Sequence, residues 1–458
     1  MNVLLVSTYE LGHQPFGLAS PAAWIARRGH NVACFDLSVE CLDDDTVRDA
    51  DIVAFYLPMH TATRLASKVM QKVRALNPAA HLCCYGLYAP LNESYLRGLG
   101  AQTILGGEFE PALASLVDRL ASGQSPVQTE PLISLDKLQF RIPLRSELPP
   151  LEKYARLRVG SASKKVGYAE ASRGCKHLCR HCPVVPVYNG SFRVVQPDIV
   201  LADIRQQVDA GAEHVTFGDP DFFNGPTHAM RIADALHREW PALTYDATIK
   251  IEHLLKHRDL LQHLRETGCL FVTSAVESVD DAVLAALDKG HTRADFIAAA
   301  GLMRSAGLTL APTFIPFTPW TTRESYRDLL AVLVELDLVE HVAPVQLALR
   351  LLIPRGSRLL DLADIQAVLG EFDEPALLYR WQHPDPAMDA LANEAMRLAA
   401  SQESRPGSRR QIFSYLWNLV SDHPLPASFP QSPDSAIPQL DEPWYCCAEP
   451  TEEQIAQV

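Results

Sequence analysis

Three cysteines, Cys175, Cys179 and Cys182, stand in one short run, Ser172-Arg173-Gly174-Cys175-Lys176-His177-Leu178-Cys179-Arg180-His181-Cys182. Three residues separate the first pair and two the second. A single loop of this spacing can wrap three thiolates around a cuboidal iron–sulfur cluster, and thiolates are the ligands such clusters use. Three ligands for the four irons of a [4Fe–4S] cluster leave one iron open to a substrate or cofactor. Lys176, His177, Arg180 and His181 bring positive charge that favours the thiolate form. Zinc is the competing reading. Structural zinc sites generally take four donors, and no fourth cysteine follows nearby, so His177 or His181 would have to complete one.

A second pair, Cys446-Cys447, follows a Pro-rich stretch near the C-terminus. That stretch lacks the apolar period needed to bury the pair. Adjacent thiols on such an arm can reduce a partner, trap a thiophilic centre or stay inert, the last at the price of an oxidation liability. The other five of the ten cysteines, Cys34, Cys41, Cys83, Cys84 and Cys269, sit in mostly apolar strand-like runs, where a free thiol behaves as a small hydrophobe. Ten cysteines in 458 residues are too sparse for a disulfide scaffold.

The elements that must position these groups alternate. Residues 1–122 read as strands (MNVLLVS, NVACFDLS, DIVAFYLPM, HLCCYGLY, TILGG) separated by helical segments, the pattern of a parallel, doubly wound sheet. Residues 123–165, rich in Pro and mixed charge, read as an ordered linker. From 166 to 365 the runs VGYAEASRGC, HVTFGDPD, LTYDATIK, CLFVTSAVES, LTLAPTFIPF and VAPVQLALRL give six βα-type units. These suit a partial barrel with its chemistry at the C-terminal strand ends. Residues 366–420 read as helical. Residues 421–458, with a run of prolines and no periodicity, read as an irregular, flexible tail. Asp219 and Asp221 stand just past one barrel strand and Glu277 at the end of another, and each has a plain structural reading, as a turn former or a paired buried acid.

Hydrophobic content of 47% and charged content of 21% are those of a soluble globular protein. A net charge of −14 argues against nucleic acid or an anionic membrane as the main partner. The N-terminal apolar run is too short for a membrane span or a signal segment, and the expected location is cytoplasmic.

The cysteine loop, after a strand and opening a run of βα units, resembles the radical S-adenosylmethionine (SAM) superfamily, whose members bind SAM through the open iron and cleave it reductively. The resemblance covers most of 166–355 and implies an electron donor such as a flavodoxin or ferredoxin. Gly218-Asp219-Pro220-Asp221 stands where the family contacts the SAM amino group. Glu277-Ser278, followed by Lys289-Gly290-His291-Thr292, resembles the family's fourth-strand pattern near the SAM ribose and carboxylate. His181 departs from the aromatic residue usual before the last cysteine, and Phe317-Thr318-Pro319 departs from the usual Gly-rich turn.

The N-terminal region resembles the cobalamin-binding-like domain that precedes many radical SAM barrels, through Gly17, Gly86 and Gly106-Gly107. Glycines there would let a flat ligand approach the backbone. An Asp-x-His-x-x-Gly segment is missing, which weighs against bound cobalamin. Pro443-Trp444-Tyr445-Cys446-Cys447-Ala448-Glu449-Pro450 resembles the hallmark of the CUAEP/CCAEP-tail radical SAM family. That family includes an arsinothricin-biosynthesis enzyme. The resemblance implies transfer of the 3-amino-3-carboxypropyl group of SAM to arsenite held by Cys446 and Cys447, giving hydroxyarsinothricin; whether Cys269 or a histidine such as His383 joins the pair as a third ligand stays open. Trivalent arsenic is soft and suits thiolates. Three other readings stay open: a cobalamin-dependent radical SAM methyltransferase, a 5′-deoxyadenosyl-radical enzyme using the tail dithiol as reductant, and a thiol-based metalloid sensor.

Overall fold

In a computed structural model the described residues are 1–402, 408–426, 429, 437–442, 449, 450 and 455. Side chains of 401, 402 and 408 are not among them. The five apolar runs of the N-terminal region are strands β1 (Asn2–Ser7), β2 (Asn31–Asp36), β3 (Ile52–Tyr56), β4 (His81–Tyr85) and β5 (Thr103–Gly107). With β6 (Ile133–Ser134) they form one parallel sheet of order β2-β1-β3-β4-β5-β6. β3, β4 and β5 are buried along their whole length because helices cover both faces. The strand order reverses between β1 and β3, so the crevice at their C-terminal ends is the switch point where such sheets bind ligands.

The second sheet begins with β7 (Arg156–Val159), antiparallel to β8 (Ala162–Ala169). A short hairpin of β9 (Ser172–Gly174) and β10 (Phe192–Val194) frames the cysteine loop. β8, β11 (His214–Phe217), β12 (Thr244–Thr248), β13 (Cys269–Glu277) and β14 (Thr309–Phe314) run parallel in that spatial order. Alternation sorts their side chains. Phe217, Tyr245, Val272 and Phe314 face the covering helices in one core, each worth about 1.5–3 kcal/mol when fully buried. The intervening positions of β11 and β12 are polar and hydrogen-bonded: Asp246 Oδ1 lies 2.9 Å from His214 Nε2 and accepts from Thr216 Oγ1 at 2.7 Å.

Three segments differ from the sequence expectation. The sixth barrel strand is reduced to a single parallel bridge, Phe317 to Arg350, because Pro344 opens a 3-10 turn over Pro344–Leu347. Within 366–420 a hairpin of β15 (Leu369–Asp373) and β16 (Leu378–Trp381) interrupts the helices, carried by a Phe372–Tyr379 ring contact with centroids 4.9 Å apart. In the tail, β17 (Gln439–Leu440) pairs antiparallel with β7. Cys41 is exposed, whereas Cys34, Cys83, Cys84 and Cys269 are buried; Cys41 lies past the end of β2, just ahead of a short acidic helix, Asp44–Asp49. Among the described residues no helix is long and apolar enough to cross a membrane.

The two sheets meet through buried charge. Arg173, on β9, donates to Glu108 at 3.3 Å, to Glu110 at 3.0 and 2.6 Å, and to Glu170 at 2.6 Å. Arg145, between the domains, grips Asp203 with two bonds of 2.8 Å, and donates to the Tyr168 carbonyl and Gln14 Oε1. The His13 ring stacks on Tyr168 with centroids 5.1 Å apart. The C-terminal edge of the first sheet therefore abuts the mouth of the barrel.

Candidate active site

Cys175, Cys179 and Cys182 lie on the loop between β9 and the one-turn helix Val185–Tyr188, at the C-terminal ends of the barrel strands. Gly174 precedes the first cysteine with φ +74°, and a Cβ there would meet the Tyr188 ring at 2.4 Å, so glycine is required for the chain to enter the loop. Asn224 secures the first turn: its Oδ1 accepts from the Lys176 N–H at 3.1 Å and lies 3.8 Å from Cys175 Sγ. The Cys182 N–H bonds the Cys179 carbonyl at 3.2 Å, and the Arg180 N–H bonds the Leu287 carbonyl at 2.9 Å.

Burial pushes the Cys175 thiol up, and pushes that of Cys182 up to about 12, with the neighbouring sulfurs adding to both. Thiols raised in this way become thiolates only with cations to hold them, and coordination supplies that. Two lysines are placed to assist. Lys250, just past β12, has its ammonium 3.7 Å from Cys179 Sγ. Buried Lys289 bonds Glu277 at 3.2 Å, and Cys179 and Cys182 add to the pull that keeps it charged. The donor set fits an iron–sulfur cluster.

Glu277 terminates β13 in the left-handed region, φ +68°, at a register shift against β14. A non-glycine residue held there is strained, and such strain collects at functional sites. Burial alone would raise its carboxyl, but Lys289 and His181, whose Nε2 lies 3.2 Å away, hold it at about 2. It is therefore a fixed negative charge beside the cysteine loop.

The other expected site residues part company. Asp219 is buried with both oxygens engaged, by the Ser172 hydroxyl at 2.5 Å and the Ala171 N–H at 2.9 Å. Burial raises it to about 7 against those two bonds. Its contacts position the strand leading into the cysteine loop. Gly218 is glycine because a Cβ would lie 1.9 Å from Tyr168 Oη. Ser278 Oγ accepts from the Asp280 N–H at 3.1 Å. Asp221 turns toward His177 and His253. Cys269 is buried on the helix-facing side, donating to the Phe271 carbonyl at 3.4 Å, and His383 Nδ1 accepts from the Asp385 N–H at 2.9 Å. Cys446 and Cys447 lie outside the described residues. On either side of them, Tyr9 Oη donates to Glu442 Oε1 at 2.7 Å, and Glu449 pairs with Arg64 and lies 3.4 Å from His60 Nε2. Lys250, His253 and Asn224 carry no motif; for Lys250 the only signal is a lysine directly after a strand, at the face where barrel chemistry sits.

The glycines of the first sheet's edge are filled by the chain itself. A Cβ at Gly17 would meet the Tyr56 ring at 2.1 Å, and one at Gly86 the Leu57 carbonyl oxygen at 2.9 Å. At Gly106 it would meet Pro90 at 2.6 Å, and at Gly107 the Ser134 carbonyl oxygen at 2.1 Å. These positions serve packing and do not form a cradle for a flat ligand.

Comparison with known proteins agrees with this architecture. Residues 170–333 match the family described as the Radical SAM superfamily. Hopanoid C-3 methylase of Methylococcus capsulatus is 24% identical over 335 residues, 69% of this chain and 64% of that protein. A tRNA-2-methylthio-N(6)-dimethylallyladenosine synthase of Pseudomonas paraeruginosa is 26% identical over 199 residues, 41% of this chain and 44% of that one. The chain thus spans less than two thirds of either relative. Among solved structures, the cobalamin-dependent SAM radical enzyme OxsB, with aqua-cobalamin and SAM bound, superposes with a TM-score of 0.67 at 13% identity, covering 91% of this chain and 71% of that one. The radical SAM methyltransferase TsrM of Kitasatospora setae, with tryptophan and a SAM analogue bound, gives 0.60 at 16%, covering 73% and 71%. At these identities the likeness is one of fold: a parallel Rossmann-like sheet followed by a curled half-barrel.

Proposed function

We propose that this chain, a member of the radical SAM superfamily through residues 170–333, moves a SAM-derived group onto a small acceptor. The observation that carries the reading is the trio Cys175, Cys179 and Cys182 at the barrel mouth, with Lys250 3.7 Å from Cys179 and the Lys289–Glu277 pair alongside. When bound, a [4Fe–4S] cluster supplies an electron and an open iron for SAM. The chain's own part is to offer three thiolates, offset their charge with two ammonium groups and hold Glu277 ionised for a cationic or hydroxyl-bearing ligand. Asp219 is a positioning residue for the loop, acting through Ser172 and Ala171. Gly218, Asp221, Glu277 and Ser278 remain the proposed SAM neighbours.

Methyl is the transferred group that the comparisons favour, since the hopanoid enzyme and TsrM are named as methylating enzymes and OxsB as cobalamin-dependent. Cobalamin on the N-terminal domain would belong to that reading. At the described edge the four glycine positions that the sequence marked are packed against Tyr56, Leu57, Pro90 and Ser134, so those glycines themselves are not the ring's seat. A second reading, 3-amino-3-carboxypropyl transfer to arsenite on Cys446 and Cys447, is favoured by one observation. Glu442 and Glu449, flanking that pair, both engage the N-terminal domain beside its switch point.

One experiment separates the two readings. Anaerobically reconstituted protein is given SAM labelled in the methyl or the aminocarboxypropyl carbons, with arsenite, and with and without cobalamin. Label from the methyl carbon in the product, dependent on cobalamin, supports methyl transfer. Methylthioadenosine with an arsenic–carbon product supports the second reading. No SAM cleavage under any condition overturns both.

A further inference from the structure

A set of metal-type donors stands beside the cysteine loop and is not needed by the cluster. Asp221 Oδ2 lies 2.6 Å from His253 Nδ1 and 3.5 Å from His177 Nε2. The two imidazoles meet edge-on, with centroids 4.9 Å apart. All three atoms are buried, yet none makes a hydrogen bond of acceptable geometry. The Asp221 side chain is 0% exposed and that of His253 7%. Buried polar atoms are almost always paired, so a carboxylate oxygen and two ring nitrogens that have only one another as ion-pair partners require an explanation.

A cation between them supplies it. With ligands at about 2.0–2.1 Å, a tetrahedral ion has donor–donor edges of about 3.4 Å. The His177–Asp221 separation already has that length; the His253–Asp221 separation would open by about 0.8 Å on loading. Asp221 Oδ1 is occupied by the Phe223 N–H at 3.2 Å, which leaves Oδ2 to face the histidines. Glu252 Oε2 stands 3.6 Å from His177 Nδ1. At that distance it adds negative charge beside the ring without a hydrogen bond to it. Cys175 Sγ, His177 and Asp221 present ligand atoms all within 4.8 Å of one another, so the site adjoins the cluster loop.

We propose that His177 Nε2, Asp221 Oδ2 and His253 Nδ1 bind a divalent transition-metal ion of the zinc or ferrous class, separate from the iron of the cluster. Two histidines and one carboxylate are a ligand set for such ions that leaves coordination positions open. An acceptor bearing a carboxylate or thiolate could be held there, beside Cys175. The site goes beyond the SAM reading and moves Asp221, both of whose oxygens are then engaged, from the proposed SAM neighbours to the metal.

The test uses the reconstituted full chain titrated with cobalt(II), read by its visible ligand-field absorption and by metal content, with cluster iron and sulfide measured in parallel. Wild-type protein is expected to take up one cobalt per chain beyond the cluster. His253→Ala, and independently His177→Gln, should weaken that binding at least about ten-fold while cluster iron stays at the wild-type level. His257→Ala, which changes a ring neighbouring His253 but no proposed ligand, should bind as wild type does. Equal cobalt uptake by wild type and both ligand variants, or no cobalt beyond the cluster in folded wild type, overturns the site. Loss of SAM cleavage alone bears on the proposed function and leaves this reading untouched.

Discussion

Replacing Arg173 with Met removes the one guanidinium shared by Glu108, Glu110 and Glu170. In the intact protein its side chain is 8% exposed, and those of Glu108 and Glu110 are 0% exposed. Deleting one partner of a buried pair costs about 3–5 kcal/mol, because the remaining charges are stranded in a poor solvent. An unfolding entropy of about 2.1 cal/mol/K per residue, over 458 residues, amounts to about 1 kcal/mol/K. A fall in melting temperature of about 3–5 °C follows for a chain that melts as one unit, and a larger fall for an N-terminal domain that melts alone.

The pH dependence has a definite sign. Burial pushes the Glu108 carboxyl from its ordinary 4.5 up to about 7, against the pull of Arg173, and pushes Glu170 up as well. A carboxyl raised by folding contributes stability that is fully present below its ordinary value and lost as pH rises through its folded value. Without Arg173 both carboxyls rise further, so the deficit of the variant is largest above pH 7 and shrinks toward pH 5.5, where Glu108 holds its proton. Thermal melts of wild type and Arg173→Met followed by circular dichroism, at about pH 8 and pH 5.5, check this. An equal fall at both pH values, or none at pH 8, would refute the buried-network reasoning.

Three further expectations can be checked together. Asp219, raised by burial to about 7 from 3.8, makes the wild-type melting temperature fall as pH rises from about 5.5 to 8; Asp219→Asn should flatten that slope, and unchanged slopes would contradict it. Gly218→Ala drives a methyl into Tyr168, with Oη at 1.9 Å and Cζ at 2.2 Å, so stability should drop by about 1–3 kcal/mol; Tyr168→Phe should not restore it, as denaturant titration will register. Lys250→Met removes the ammonium 3.7 Å from Cys179 Sγ and should lower the cluster's reduction potential in a spectroscopic redox titration, while an unchanged potential would deny the lysine that role.

Much of the scaffold was legible from apolar runs. β1 and β3–β5 are short, bounded by turns and bracketed by amphipathic segments, and such patterns leave little freedom in a parallel sheet. The cysteine loop was legible because its three cysteines are close in sequence. The misread segments are those where local pattern and tertiary pairing disagree. VAPVQLALRL looks like a strand, yet Pro344 diverts it into a 3-10 turn, and a bridge of Arg350 to Phe317 is what remains of its strand pairing among the described residues. LGEFDEPALLYRW is short and mixed, and its pairing rests on Phe372 meeting Tyr379. Asp219 and Asp221 share one turn and look equivalent in sequence, but the first bonds the approach to the loop and the second faces two histidines. Lys250 and Asn224 reach the cysteines, and His253 reaches Asp221, only because the barrel curls, and no spacing rule announces that.

The central claim is that Cys175, Cys179 and Cys182 hold an iron–sulfur cluster that meets SAM directly. The most direct measurement is the electron paramagnetic resonance spectrum of the reduced, anaerobically reconstituted protein before and after adding SAM, with metal content determined on the same sample. A cluster signal that SAM perturbs, and that is lost when any of the three cysteines becomes alanine, is the predicted result. Zinc in place of iron, or a cluster signal indifferent to SAM, would contradict it.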